Sequence, residues 1–207
     1  MLIKGITDED FVNYKLPSMY IATATCSFKC DKEYGKPICQ NSELVKQPDI
    51  DMDINDIVDR YCNNPITHAI VIGGLEPLDQ LDDIIGLIVS LRCAGGYNEY
   101  EGCPRFDHPK GMDDIVIYTG YTKKEAAEII LKGNCMAFKN NEWQIDYDMY
   151  QRFLDKKNDD LYLSLITSGF PNVIIKYGRY IPGHQPHYDP VLGVYLASDN
   201  QYAERIS

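Results

Sequence analysis

Segments with strand character alternate with segments of helical periodicity along most of the chain, and this alternation restricts the fold more than any other feature. Strands are predicted at 18–25, 68–72, 114–118 and 172–176, where β-branched and aromatic residues are concentrated. Apolar residues at helical spacing predict helices between the first three strands. These residues are Ile54, Ile57, Val58 and Tyr61, followed by Leu81, Ile84, Ile85, Ile88 and Leu91. Such alternation favours βαβ units and an α/β fold with a mainly parallel sheet.

The first three predicted strands each run into an unusual sequence. The first ends at Cys26, the second at Gly73-Gly74, and the third at 119–121, which reads Thr-Gly-Tyr. Thr122 and Glu125 then have the spacing of a capping box, which predicts that a helix begins there. Because the carboxyl ends of parallel strands meet at the same rim of a sheet, we expect all three sequences on that rim, where ligands bind.

The size and charge of the chain limit its organisation and its partners. With 207 residues it is predicted to form a single domain, 1–207, with insertions near 93–112 and 134–160. A net charge of −11 repels nucleic acid phosphates, so no nucleic acid partner is expected. No run of about 18 apolar residues and no apolar signal-peptide core occur, so we expect a cytoplasmic protein without a membrane partner.

Three of the seven cysteines are close together in the sequence. Cys26 and Cys30 are separated by three residues, and Cys39 follows after eight more. In a chain without an export signal, such cysteines more often bind metal or do chemistry than form disulfides. Three thiolates can hold three irons of a cubane cluster and leave the fourth iron open. A zinc site or ordinary buried cysteines are also compatible with this spacing.

Other metal-ligand residue types carry a weaker signal. His184 and His187 are three residues apart with Asp189 nearby, but three prolines between 182 and 190 favour an irregular surface loop. The remaining cysteines are most simply free thiols. They are Cys62, Cys93, Cys103 and Cys135, and Cys62 is predicted to lie on an apolar helical face.

The cysteine run resembles the signature of the radical S-adenosylmethionine superfamily, and in particular that of the activating proteins of anaerobic ribonucleotide reductase. Cys26-Ser-Phe-Lys-Cys30 matches the first two cysteines of that signature. The third cysteine, Cys39, arrives six residues later than the usual position. The run 39–44 looks like the Cys-x-Asn-x-Glu run of the activating proteins, so the insertion is placed before Cys39.

Three further runs resemble this family and occur in the correct order. Residues 73–78 are similar to its Gly-Gly-Glu-Pro motif, with Leu75 as an extra residue. Residues 117–122 are close to its Tyr-Thr-Gly-Tyr-Thr run, and 196–201 look like its terminal Gly-Ser-x-Asn-Gln segment. Together the matches cover about residues 17–92, 113–132 and 172–203.

This resemblance implies a partial parallel (β/α) barrel of radical S-adenosylmethionine type. It implies an oxidoreductase in which a [4Fe-4S] cluster cleaves S-adenosylmethionine to methionine and a 5'-deoxyadenosyl radical. The implied cluster ligands are Cys26, Cys30 and Cys39. The residues implied to bind S-adenosylmethionine are Gly73, Gly74 and Glu76, with Tyr118, Thr119 and Gly120 on the adenosine side.

The resemblance also implies partners. The radical would form a glycyl radical on the large subunit of an anaerobic ribonucleoside-triphosphate reductase, and a flavodoxin- or ferredoxin-type protein would donate the electron. Two other readings stay open at this point. One is a radical S-adenosylmethionine enzyme that acts on a peptide or a small molecule, and the other is a non-catalytic metal-binding interaction protein.

Overall fold

The computed structural model describes residues 1–92, 109–139, 142–154, 158–167 and 171–207. Most of the first predicted insertion, including Cys93 and Cys103, lies outside these ranges, as do parts of the second. No helix within the described ranges is long and apolar enough to cross a membrane.

Seven strands form one mixed sheet in the described part of the chain, in the order β11-β8-β5-β4-β2-β1-β3. The strands are β1 (Leu2–Asp10), β2 (Ser18–Thr23), β3 (Ile50–Asp51), β4 (Ala69–Gly74), β5 (Asp114–Tyr118), β8 (Val173–Tyr177) and β11 (Tyr202–Arg205). β2, β4, β5 and β8 are parallel, whereas β1, β3 and β11 are antiparallel additions at the two edges. The α/β class and the parallel core are as predicted, and the sheet is open, with β11 and β3 at its edges.

Helices connect the parallel strands and two hairpins extend the fold. The helices are α1 (Lys29–Tyr34), α2 (Ser42–Val45), α3 (Ile54–Cys62), α4 (Leu81–Arg92), α5 (Lys123–Asn134), α6 (Tyr147–Leu154) and α7 (Asp159–Ser164). Short 3-10 turns occur at Pro77–Gln80, Pro109–Met112 and Leu165–Thr167. One hairpin pairs β6 (Met136–Lys139) with β7 (Glu142–Ile145), and the other pairs β9 (His187–Asp189) with β10 (Val194–Leu196).

In the parallel strands, successive side chains alternate between the two faces of the sheet, as the pleat of a strand requires. One face packs against helices and contains fully buried residues such as Ile72, Ile117 and Ile175, each contributing about 1.5–3 kcal/mol. The opposite face packs against Leu192 and Leu196 in and beside the β9–β10 hairpin. The first face is the main core, and the second leaves room for polar side chains at the strand ends.

Helix α5 begins where the capping box predicted it. Thr122 Oγ1 accepts a hydrogen bond from Glu125 N at 3.3 Å, and Thr122 N donates to Glu125 Oε2 at 2.9 Å. Helix α3 likewise lies on the predicted apolar stripe, with Ile57 and Tyr61 buried and Cys62 partly buried against the core. Because each helix returns the chain to the start of the next strand, the ends of β2, β4 and β5 meet at one rim.

A buried arginine fixes the opposite rim, where the strands begin. Arg92, at the end of α4, donates from Nη1 to the carbonyls of Gly111 and Asp113 at 3.0 and 2.8 Å, and from Nη2 to that of Pro171 at 2.8 Å. These carbonyls belong to the segments that lead into β5 and β8. Arg92 therefore joins the segments from which the adjacent parallel strands β5 and β8 begin.

Candidate functional site

A cavity of about 360 Å³ opens at the carboxyl ends of β2, β4, β5 and β8. Its lining includes eight of the nine residues predicted from the sequence. They are Cys26, Cys30, Cys39, Gly74, Glu76, Tyr118, Thr119 and Gly120. Gly73 precedes Gly74 in β4 and lies against Tyr20, which also lines the cavity. The parallel strand order thus brings together residues as distant in the sequence as Cys26 and Gly120. This confirms that the three sequences lie on one rim.

Glycine is required at the end of β4 for steric reasons. A Cβ on Gly73 would lie 2.9 Å from Tyr20 Oη, and a Cβ on Gly74 would lie 2.8 Å from the Cα of Ala22. Gly74 also has a φ of +85°, which residues with a side chain rarely adopt. Its carbonyl oxygen accepts a hydrogen bond from the side-chain amide of Asn41, two residues after the third cysteine. The Gly-Gly strand end is therefore tied directly to the cysteine segment.

Glu76 is a buried carboxylate at the centre of the cavity wall. Its Oε1 accepts hydrogen bonds from Thr119 Oγ1 at 2.7 Å and Leu78 N at 3.1 Å, and Oε2 accepts one from Gly120 N at 2.8 Å. A carboxylate has about four acceptor positions, so these bonds leave room for a further donor. Burial raises the pKa of Glu76 to about 7, despite the three hydrogen bonds that favour its ionised form.

The loop that carries Cys26 is held by the turn that follows Glu76. Gln80 Oε1 accepts from the backbone N–H groups of Ala24 and Thr25 at 2.9 and 3.0 Å. Asp79 accepts from Ser27 N at 2.5 Å. These three bonds fix the backbone on both sides of Cys26, which places its thiol at the cavity.

Cys30 and Cys39 approach each other across the inserted residues. Burial, followed by the proximity of Cys39 and Asp31, raises the pKa of Cys30 to about 12. Burial also raises the pKa of Cys26 to about 11, with smaller contributions from Glu76 and Cys39. These contributions are consistent with the place of all three thiols in the lining of one cavity. Metal binding would have to displace their protons.

Lys176 is a site residue that the sequence analysis did not identify. It lies in β8, is 6% exposed and lines the cavity. Its Nζ donates to Gly178 O at 2.8 Å and lies 5.9 Å from the centre of the Tyr118 ring. Burial lowers the pKa of Lys176 to about 8, although Glu76 opposes this effect. From the sequence, a lysine at the end of a predicted strand is expected to be exposed to solvent. Because side chains alternate along β8, Lys176 lies on the same face as Ile174 and faces the cavity.

A second cavity, of about 480 Å³, lies beside the first. Both linings include Cys30, Ile38, Gly178, Arg179 and Tyr180, and that of the second also includes Tyr34 and Tyr177. A ligand bound in the first cavity therefore has adjoining space on the far side of Cys30.

The histidine segment does not form a site with the surrounding acids. His184 Nδ1 is 2.5 Å from Asp199 Oδ1, whereas His187 lies in β9. Asp189 is used structurally, since it accepts from the backbone N–H groups of Val191, Leu192 and Ala203. Within the described ranges, no three His, Cys, Asp or Glu side chains are arranged to hold a metal ion.

The two other described cysteines lie away from the cavity. Cys62 is at the end of α3, and Cys135 is buried directly after α5.

Comparison of the chain with protein-family models, with curated proteins and with solved structures finds no match in any of the three.

Proposed function

We propose that this chain is a radical S-adenosylmethionine enzyme that holds a [4Fe-4S] cluster on Cys26, Cys30 and Cys39. The observation that carries the proposal is that these three thiols line one cavity together with Glu76. In a cubane each cysteine binds a different iron, so its ligands are spaced more widely than those of a single ion. Each of the three thiols that line the cavity could therefore bind a different iron of one cluster.

The polar groups of the cavity suit the methionine end of S-adenosylmethionine. Glu76 retains acceptor capacity for an ammonium group, and Lys176 offers a cation for a carboxylate. Tyr118, Thr119 and Gly120 form the neighbouring wall, with Tyr118 Oη fixed by its hydrogen bond to Asn13 O at 2.5 Å. When bound, the cluster would supply the electron that cleaves S-adenosylmethionine to methionine and a 5'-deoxyadenosyl radical.

We further propose that the substrate is a backbone glycine in the large subunit of an anaerobic ribonucleoside-triphosphate reductase. The runs 118–122 and 198–201 support this reading through their resemblance to the activating proteins. Val12 and Tyr195, at the mouth of the cavity, are 74% and 76% exposed, which suits contact with another polypeptide. A flavodoxin- or ferredoxin-type protein would supply the electron.

The test is anaerobic reconstitution with iron and sulfide, followed by electron paramagnetic resonance of the dithionite-reduced protein. A [4Fe-4S]+ signal that changes shape when S-adenosylmethionine is added is the expected result. Bound zinc without iron, or a cluster signal indifferent to S-adenosylmethionine, would overturn the proposal and favour a metal-binding interaction protein.

The substrate is tested separately. Incubation of the reduced protein with S-adenosylmethionine and the reductase subunit should give the doublet of a glycyl radical. Release of 5'-deoxyadenosine that depends on a peptide or a small molecule, without any protein radical, would instead assign the chain to that branch of the superfamily.

A further inference from the structure

The loop between Cys30 and Cys39 is closed by a single carboxylate. Asp31 Oδ1 accepts hydrogen bonds from the backbone N–H groups of Ile38 and Cys39, both at 2.9 Å. The first and last residues of the loop are thereby joined. Cys30 Sγ lies 3.8 Å from the same oxygen, so the carboxylate sits between the two cysteines.

The remainder of the loop forms a compact turn around this contact. Helix α1 continues from Lys29 to Tyr34 and ends at Gly35, which has a φ of +71°. Gly35 N donates to Asp31 O at 2.9 Å, which is the usual way for a left-handed glycine to end a helix. The chain then returns through Pro37 to the carboxylate. The extra residues thus project outward and leave the positions of the two cysteines close together.

We propose that Asp31 is a positioning residue that presents Cys39 beside Cys30 for cluster binding, in place of a short spacing between the two cysteines. The inference rests on the cluster-binding function proposed above. The free-energy cost of bringing the ends of a loop together rises only slowly with the length of the loop. The two hydrogen bonds of Asp31 bring the ends of this loop together, so the late arrival of Cys39 in the sequence does not displace its thiol.

Three point variants separate this role from a general effect of charge. Asp31→Ala removes both hydrogen bonds, whereas Asp31→Asn keeps an acceptor oxygen at the same place. Glu33→Ala is the matched control, because it removes the same charge from a half-exposed position of the same loop. A fourth variant deletes residues 32–37, which leaves only Asp31 and Ile38 between the cysteines and makes loop closure unnecessary.

The first measurement requires no iron. Dibromobimane bridges two thiols only when they are close together, and the linked peptides can be identified by mass spectrometry. The apoprotein, Asp31→Asn and Glu33→Ala should link Cys30 to Cys39 at similar rates, and Asp31→Ala should do so several-fold more slowly. An equal rate in Asp31→Ala would overturn the proposal.

The second measurement is the retention of iron against a chelator after anaerobic reconstitution. Asp31→Ala should retain iron about tenfold more weakly, as is typical when a group that orients a metal ligand is lost. Asp31→Asn should restore both retention and the spectral response to S-adenosylmethionine. In the deletion background, Asp31→Ala should have no effect, and an undiminished effect there would contradict a role in loop closure.

The two measurements also distinguish the inference from the function on which it rests. If no variant binds iron but linkage of Cys30 to Cys39 still depends on Asp31, the positioning role stands and the cluster proposal fails. If the wild-type chain binds the cluster and Asp31→Ala matches it in both measurements, the cluster proposal stands and the positioning role is wrong.

Discussion

Glu76 Oε1 accepts a hydrogen bond from Thr119 Oγ1 at 2.7 Å, and this bond joins the ends of β4 and β5. Gly120 N adds a second bond to the same carboxylate at 2.8 Å. Glu76 belongs to the Gly-Gly-Leu-Glu-Pro run, and Thr119 and Gly120 belong to the Tyr-Thr-Gly run. The two sequence motifs are therefore one structural unit, in which the second orients the acidic side chain of the first.

Binding of S-adenosylmethionine should weaken as the pH falls below about 7. Glu76 has a pKa raised to about 7, and it must be ionised to accept an ammonium group. Above this pH the carboxylate is ready to bind; below it, affinity should fall by up to about tenfold per pH unit. Equilibrium titrations on both sides of this pH test the effect. Glu76→Gln should bind weakly with no such pH dependence, and a flat profile for the wild-type chain would contradict the assigned role.

Cys39→Ala should lose the cluster, because only two of the thiols that the structure describes would then remain at the cavity. Iron content and the visible absorption after anaerobic reconstitution measure the loss. Cys62→Ala is the control, since it removes a thiol from α3, away from the cavity. Equal iron content in the two variants would transfer the third ligand to another residue.

Lys176→Met should weaken S-adenosylmethionine binding while leaving the cluster in place. The substitution keeps the length and the apolar stem of the side chain but removes the cation that we propose for the ligand carboxylate. We expect a loss of about tenfold in affinity, or about 1.4 kcal/mol. Lys46→Met, at a position whose side chain is 68% exposed, is the matched control. Unchanged affinity in Lys176→Met would leave Lys176 with a structural role only.

Arg92→Met should destabilise the fold without altering the site directly. The carbonyls of Gly111, Asp113 and Pro171 would lose their charged donor, and buried groups left unpaired cost about 1–3 kcal/mol each before relaxation. We expect the free energy of unfolding to fall by about 2–4 kcal/mol, measured by denaturant titration. Arg152→Met, at an exposed position on α6, should change it by less than about 0.5 kcal/mol.

Local signals were sufficient for the parts of the fold that depend on local chemistry. Thr122 and Glu125 predicted the start of α5 because a capping box involves only neighbouring backbone groups. The apolar stripe around Ile57 predicted α3 because its spacing matches one helical face. Gly73-Gly74 marked a strand end because paired glycines interrupt a strand pattern, and at Gly74 the backbone of Ala22 leaves no space for a side chain.

Contacts between distant residues account for what the sequence analysis missed. Strand β1, which lies next to the edge strand β3, carries Lys4, Asp8 and other polar residues that are partly exposed, and this weakens its strand pattern. Lys176 becomes a site residue only through its place beside Tyr118 on the inner face. The role of Asp31 depends on its contact with the backbone of Ile38 and Cys39, which no local sequence pattern specifies.

Different parts of the chain pack against the two faces of the sheet, and this difference affects how the sequence can change in evolution. The face beneath the cavity is covered by the β9–β10 hairpin and by Tyr14, while the helices cover the other face. Exposed hairpin positions such as Tyr188 and Tyr195 can accumulate substitutions without disturbing the main core between the sheet and the helices. The outer surface of the hairpin can therefore diverge in sequence while the cysteines and Glu76 are preserved.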